Sequence, residues 1–181
     1  MPLWLIIAFA IFSAVIIFAI VSLNKKGQKQ HVKAAISSYI LFTLIFLVIW
    51  IFAFSVPPYI TLLAMLAVFI SCFCGYYLNL YNRSMVFDRY LHAYGSFSFA
   101  LFVYCLIKNV FETGGSKAFQ SLFVFTVGMT VGGAFELVEA AIDAKSGAGA
   151  QRGLKDTNTD MIGNLIGSLL AGVFAYFLLF S

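Results

Sequence analysis

The residues capable of chemistry crowd into the second half of this 181-residue chain. All seven acidic residues lie after position 87: Asp88, Glu112, Glu136, Glu139, Asp143, Asp156 and Asp160. Asp88 and His92 are spaced i, i+4; Glu136, Glu139 and Asp143 are spaced i, i+3, i+7; Asp156, Asp160 and Asn164 are spaced i, i+4, i+8. On helices, each set shares one face. An oxygen-rich collection of this kind suits a hard divalent cation, Mg²⁺, Mn²⁺ or Ca²⁺, whereas a single histidine falls short of a zinc or di-iron set. Glu136, Glu139, Asp160 and Asp88 are the candidate ligands. A cation there would polarise a phosphoryl oxygen or lower the pKa of water. His92, oriented by Asp88, is expected as general acid–base, with Asp160 beside it in the catalytic set. Arg89 and Arg152 are expected to hold phosphate, with Asn164 on the substrate side.

A plainer account competes for some of these residues. Asp143 and Asp156 are equally well explained as helix-end or headgroup contacts, because helix N-termini and loops favour aspartate. Glu136, Glu139, His92 and Asp160 sit deeper in apolar sequence, where an ionisable group is costly and function is the better reading. Several carboxylates at one level repel each other unless shared protons, basic side chains or a bound cation compensate.

Other motifs fail. Asp156-x-Asn158-x-Asp160 opens like an EF-hand, but Met161 and Gly167 stand where glycine and glutamate are required. No G-x-S-x-G signature occurs, which leaves Ser96 a weak nucleophile. Cys72, Cys74 and Cys105 read as small core residues. His31, in a lysine-rich stretch, reads as solvated.

The elements that must position these residues are membrane spans. The chain is 62% apolar and 10% charged, against about 45–50% and about 25% for soluble domains. Six runs reach the ~20 residues needed to cross a bilayer: Leu3–Leu23, Ala34–Phe54, Tyr59–Leu80, Tyr90–Val110, Phe119–Ile142 and Thr159–Phe180. The first lacks a basic n-region and is too long for a signal peptide, so it too is expected as a span. Nine of the eleven basic residues fall in the stretches 24–33, 81–89 and 143–158; only Lys108 and Lys117 fall on the opposite side. The positive-inside rule places those stretches in the cytoplasm and both termini outside. The net charge of +4 therefore reads as topology and not as nucleic-acid binding. The expectation is an all-α polytopic membrane protein, a single transmembrane domain over 1–181, with a scaffold half at 3–80 and a site-bearing half at 83–180. Gly128-x-x-x-Gly132 and Gly163-x-x-x-Gly167 lie on or near the acidic faces and predict close helix approach. The Gly/Ala/Ser-rich stretch 146–150 is a connector with the composition of a lid.

The blocks Phe87-Asp88-Arg89-Tyr90-Leu91-His92-Ala93-Tyr94-Gly95, Phe135-Glu136-Leu137-Val138-Glu139 and Asp156-Thr157-Asn158-Thr159-Asp160-Met161-Ile162-Gly163-Asn164-Leu165-Ile166-Gly167 resemble the YjdF-like bacterial inner-membrane proteins. More distantly they are similar to the VanZ-like family, which carries Gln where Glu139 stands. The resemblance covers roughly residues 83–172. It implies a multi-pass protein of the bacterial cytoplasmic membrane, and for the VanZ-like group an association with low-level teicoplanin resistance. Together with the polar cluster, three functions stand open: a divalent-metal-dependent enzyme acting on a lipid-phosphate headgroup, with membrane lipid as partner; a proton- or cation-coupled transporter or channel; and a non-catalytic envelope factor. The scarcity of polar residues in the first three spans tilts the balance toward the enzyme.

Overall fold

A computed structural model describes residues 1–84, 86–146 and 153–180, and all regular structure among them is helical. Helix α1 covers Leu3–Lys25 and α2 Lys29–Ile51. Helix α3, Pro58–Phe69, runs on as a π-helical stretch, Ile70–Tyr77, and a short α4 covers Leu80–Arg83. Then come α5, Phe87–Val110, α6, Lys117–Ser146, and α7, Leu154–Phe174, with a π-helical end at Ala175–Leu179. Among the described residues six helices, with α3 and α7 counted together with their π-helical ends, are long and apolar enough to cross a membrane.

The helices exceed their apolar runs at several ends. Helix α2 begins at Lys29 and not at Ala34, and α7 begins at Leu154 and not at Thr159. Apolar sequence marks the hydrocarbon core, but the backbone ladder continues past it through good helix formers such as lysine and glutamine. Most of the expected loop 143–158 is therefore helical, and Asp143, Lys145, Lys155 and Asp156 belong to helix ends. Residues 147–152, which include most of the expected lid and Arg152, lie outside the described residues. Helix α2 stops earlier than expected, at Ile51, because Ala53 adopts φ +50° and two prolines follow. The turn after α1 closes on Gly27 at φ +71°, with the Gln28 amide bonding back to the Leu23 carbonyl, a left-handed cap that glycine adopts without strain.

The chain divides into two compact units, Met1–Asp88 and Arg89–Ser181. In the first, α1 buries Leu5, Phe12, Ile16, Ala19 and Leu23, and α2 buries Ala35, Phe42, Phe46 and Ile49. Both series step by three, four or seven residues, so each helix has one protein-facing stripe. Phe9 stacks on Phe46 at 4.1 Å and Phe12 meets Phe42 edge-on at 5.7 Å. The remaining faces expose isoleucine, leucine and phenylalanine, as a lipid solvent permits. At the π-helical end of α3, a Cβ on Gly75 would run into the ring of Tyr81, whose hydroxyl meets Ser71 Oγ at 3.0 Å. Lys26 lies 4.7 Å from the centre of the Tyr77 ring, a cation–π contact.

The second unit is a seam of small residues. On α7, Gly163 and Gly167 face α5: a Cβ on Gly163 would stand 2.8 Å from the Arg89 carbonyl oxygen, and one on Gly167 would overlap the Ala93 carbonyl. Asn164 and Ser168, one residue on, face α6, where Gly132 and Gly128 leave room for them. Without a hydrophobic drive between helices in lipid, such close approach is what holds them together.

Candidate functional site

Consecutive antiparallel helices bring the start of α5, the end of α6 and the start of α7 to one level. At 1.5 Å per residue, His92 lies about 7.5 Å from the start of α5, Asp160 about 9 Å from the start of α7 and Glu136 about 15 Å from the end of α6. With about 45 Å of length, α6 overshoots the ~30 Å hydrocarbon core, so these residues sit toward one membrane face and not at its midplane.

His92 is the hub. Its Nε2 is 3.5 Å from Glu136 Oε1, and both side chains are nearly buried. His92, Glu136 and Glu139 each offer a ligand atom within 4.8 Å of the other two. The same ring has carboxylate oxygens within 4.8 Å from Asp88, one turn earlier on α5, and from Asp160 of α7. Asp88, Glu136 and Asp160 are all buried, Asp160 to 2% exposure. Two metal–oxygen bonds of about 2.1 Å span at most about 4.2 Å, so small side-chain rotations would close either set on a cation. The donor chemistry, carboxylates and one imidazole, matches magnesium or manganese better than a thiolate-loving metal.

Behind the ring stands Asn164, with no exposed surface. Its Oδ1 lies 3.2 Å from His92 Nδ1 and accepts a hydrogen bond from Ser96 Oγ at 2.7 Å, while its Nδ2 points to Met161 Sδ at 3.7 Å. Asn164, expected on the substrate side, thus bonds the protein's own histidine, a contact that sequence spacing could suggest but not assign. Ser96 is its partner. In the sequence Met161 stands out only as the residue that spoils an EF-hand; no signal there marks it as a neighbour of the amide.

Arg89 lies three residues before His92 on α5; it is half-buried, and its Nε is buried without a hydrogen-bond partner among the described residues. Asp143 and Asp156 are half-buried and belong to neither cluster around His92 among the described residues. Farther along the helices the unit closes. Ser98, Ala100, Leu101 and Phe102 on α5, and Ser168 and Ala171 on α7, are wholly buried, and Gly128 admits only Ser168 and Ala100. The Ser98 hydroxyl folds back onto the Tyr94 carbonyl, and Ser168 Oγ is buried without a hydrogen-bond partner among the described residues.

Comparison with known proteins gives a consistent but coarse picture. An uncharacterized protein of Thermotoga maritima is 29% identical over 114 residues, 62% of this chain and 59% of the relative. The chain thus spans somewhat more than half the length of that relative. No solved structure matches. A family model described as "Predicted membrane protein (DUF2238)" matches residues 4–180, nearly the whole sequence, and the chain belongs to that family of integral membrane proteins.

Proposed function

We propose that the protein is a divalent-cation-dependent enzyme of the bacterial inner membrane that acts on a phosphate-bearing lipid headgroup at the cytoplasmic face. The observation that carries this reading is the cluster itself: buried acids and one histidine gathered toward one end of three helices, next to a seam of helix contacts too tight for a methyl group. A transporter requires polar groups continuing through the bilayer. The wholly buried apolar side chains beyond Asn164 speak against such a path through this unit.

In this reading His92 Nε2, Glu136 and Glu139 would hold the cation, and a cation bound there would supply Lewis-acid polarisation of a phosphoryl oxygen. That moves His92 from the acid–base role expected from spacing to a ligand role, because Asn164 engages its other nitrogen. Asp160, with Asp88, would then take a proton from water as its oxygen bonds to phosphorus, and would return that proton to the lipid oxygen as its P–O bond breaks. Arg89, whose Nε has no partner among the described residues, pairs with the phosphate. The basic stretches support termini outside.

The test is a Mn²⁺ titration of the purified protein in nanodiscs, beside phosphate release from lipid phosphates. Glu136→Gln and Glu139→Gln should each weaken Mn²⁺ binding at least about tenfold. A wild-type protein that binds no Mn²⁺ at millimolar concentration, or variants that bind as well as wild type, overturns the cation reading.

A further inference from the structure

The hydrogen bonds behind His92 carry an inference that rests on the cation reading and deepens it. An imidazole that is to donate a lone pair from Nε2 must keep its single proton on Nδ1, yet free histidine prefers the opposite arrangement. A metal-binding histidine is ordinarily set by what its other nitrogen bonds to. Here the Asn164 side chain stands 3.2 Å from Nδ1.

We propose that Asn164 is a positioning residue that holds His92 in its Nδ1–H form, with Ser96 locking the amide, so that Nε2 presents its lone pair toward Glu136 and Glu139. Three observations support the direction of the amide. Ser96 Oγ, at 2.7 Å, donates to Oδ1, which leaves that oxygen's second lone pair for the Nδ1 proton. On the other side, Nδ2 meets the thioether of Met161, a weak acceptor, at 3.7 Å. A reversed amide would set oxygen against sulphur there, acceptor against acceptor. Finally, the amide has no room to turn freely, because it fills the space left by Gly132 on α6 and has no exposed surface.

Direct measurement is practical because the chain has only two histidines, His31 and His92. A His31→Gln background leaves His92 alone, and ¹⁵N spectra of histidine-labelled protein in bilayers then report both ring nitrogens. At alkaline pH with no cation added, the expected result is a pyrrole-type Nδ1 and a pyridine-type Nε2. In Asn164→Leu, close in shape but without the acceptor, the proton should move to Nε2, and cation affinity should fall about ten- to hundredfold. Asn164→Asp, which keeps an acceptor oxygen, should retain Nδ1–H. Ser96→Ala, a gentler change, should give a mixture of the two forms. A wild-type ring protonated at Nε2, or one doubly protonated throughout, overturns the proposal whether or not any variant folds. Adding Mg²⁺ separates the two ideas: an Nδ1–H ring whose Nε2 signal does not move refutes the cation reading and leaves Asn164 as the residue that sets the ring.

Discussion

Gly167→Ala is the perturbation that most directly tests whether the glycine seam sets the geometry of the polar cluster. The new methyl would overlap the Ala93 carbonyl oxygen and stand 2.8 Å from its carbonyl carbon, where ordinary contact begins at 3.4 Å. The obstacle is backbone and cannot rotate aside, so α5 and α7 must part by at least about 0.6 Å, taking the carbon distance as the gauge. That separation alone takes the His92–Asn164 distance from 3.2 Å to about 3.8 Å, beyond hydrogen-bond range. Overpacking of this kind costs about 1–3 kcal/mol, partly offset by the ~1 kcal/mol that alanine gains over glycine inside a helix. Gly133→Ala on α6 is the matched control, because nothing lies within 4 Å of its Cβ and only the propensity gain remains. In detergent unfolding curves, Gly133→Ala should equal or exceed wild type. Gly167→Ala should fall about 1–3 kcal/mol below that control and lose cation affinity. A Gly167→Ala protein as stable as the control, with unchanged Mn²⁺ binding, would show that the seam does not govern the site.

Asp160→Asn should accumulate normally and lose activity, whereas Asp156→Asn, outside both acidic groups, should be mild; equal activity in the two strains contradicts the site assignment. Tyr81→Phe should cost about 1 kcal/mol at neutral pH by removing the bond to Ser71, read from the shift in the unfolding midpoint. Desolvation, with Tyr76 beside it, pushes the Tyr81 phenol well above its ordinary value despite the Ser71 bond. Its contribution to stability is thus fully present below the unfolded value near about 10 and lost as pH rises through the folded one, a loss that Tyr81→Phe should not show. Gln28→Cys should react with impermeant thiol reagents only in inside-out vesicles; labelling in intact cells would reverse the topology.

The spans are legible in the sequence because bilayer crossing demands long apolar runs, and each of the six runs is a helix. Their ends are not, since a helix such as α6 continues to Ser146 on propensity and backbone bonding after its apolar content fades. Within the site, helical spacing is enough to put Asp88 with His92, and Glu136 with Glu139, on single faces. It cannot show that His92 stands between α6 and α7 partners, because that depends on which small residues face which neighbour. Helix α7 illustrates the point: Gly163 and Gly167 lie against α5 and Ser168 against Gly128 of α6, while Asn164 fills the space beside Gly132 of α6 and bonds to His92 and Ser96 of α5, a division set by rotation of α7 about its axis.

Backbone-on-backbone contact between α5 and α7 has a consequence for life in membranes of different thickness. A bilayer that thins or thickens makes its helices tilt, kink or slide. Sliding of α7 along α5 by even one residue, about 1.5 Å, would carry Gly163 and Gly167 off the Arg89 and Ala93 carbonyls that they accommodate. The two helices therefore answer mismatch by tilting together, as a block. The register between His92 and Asn164 is preserved through the motion, and the changing lipid environment is felt at the helix ends.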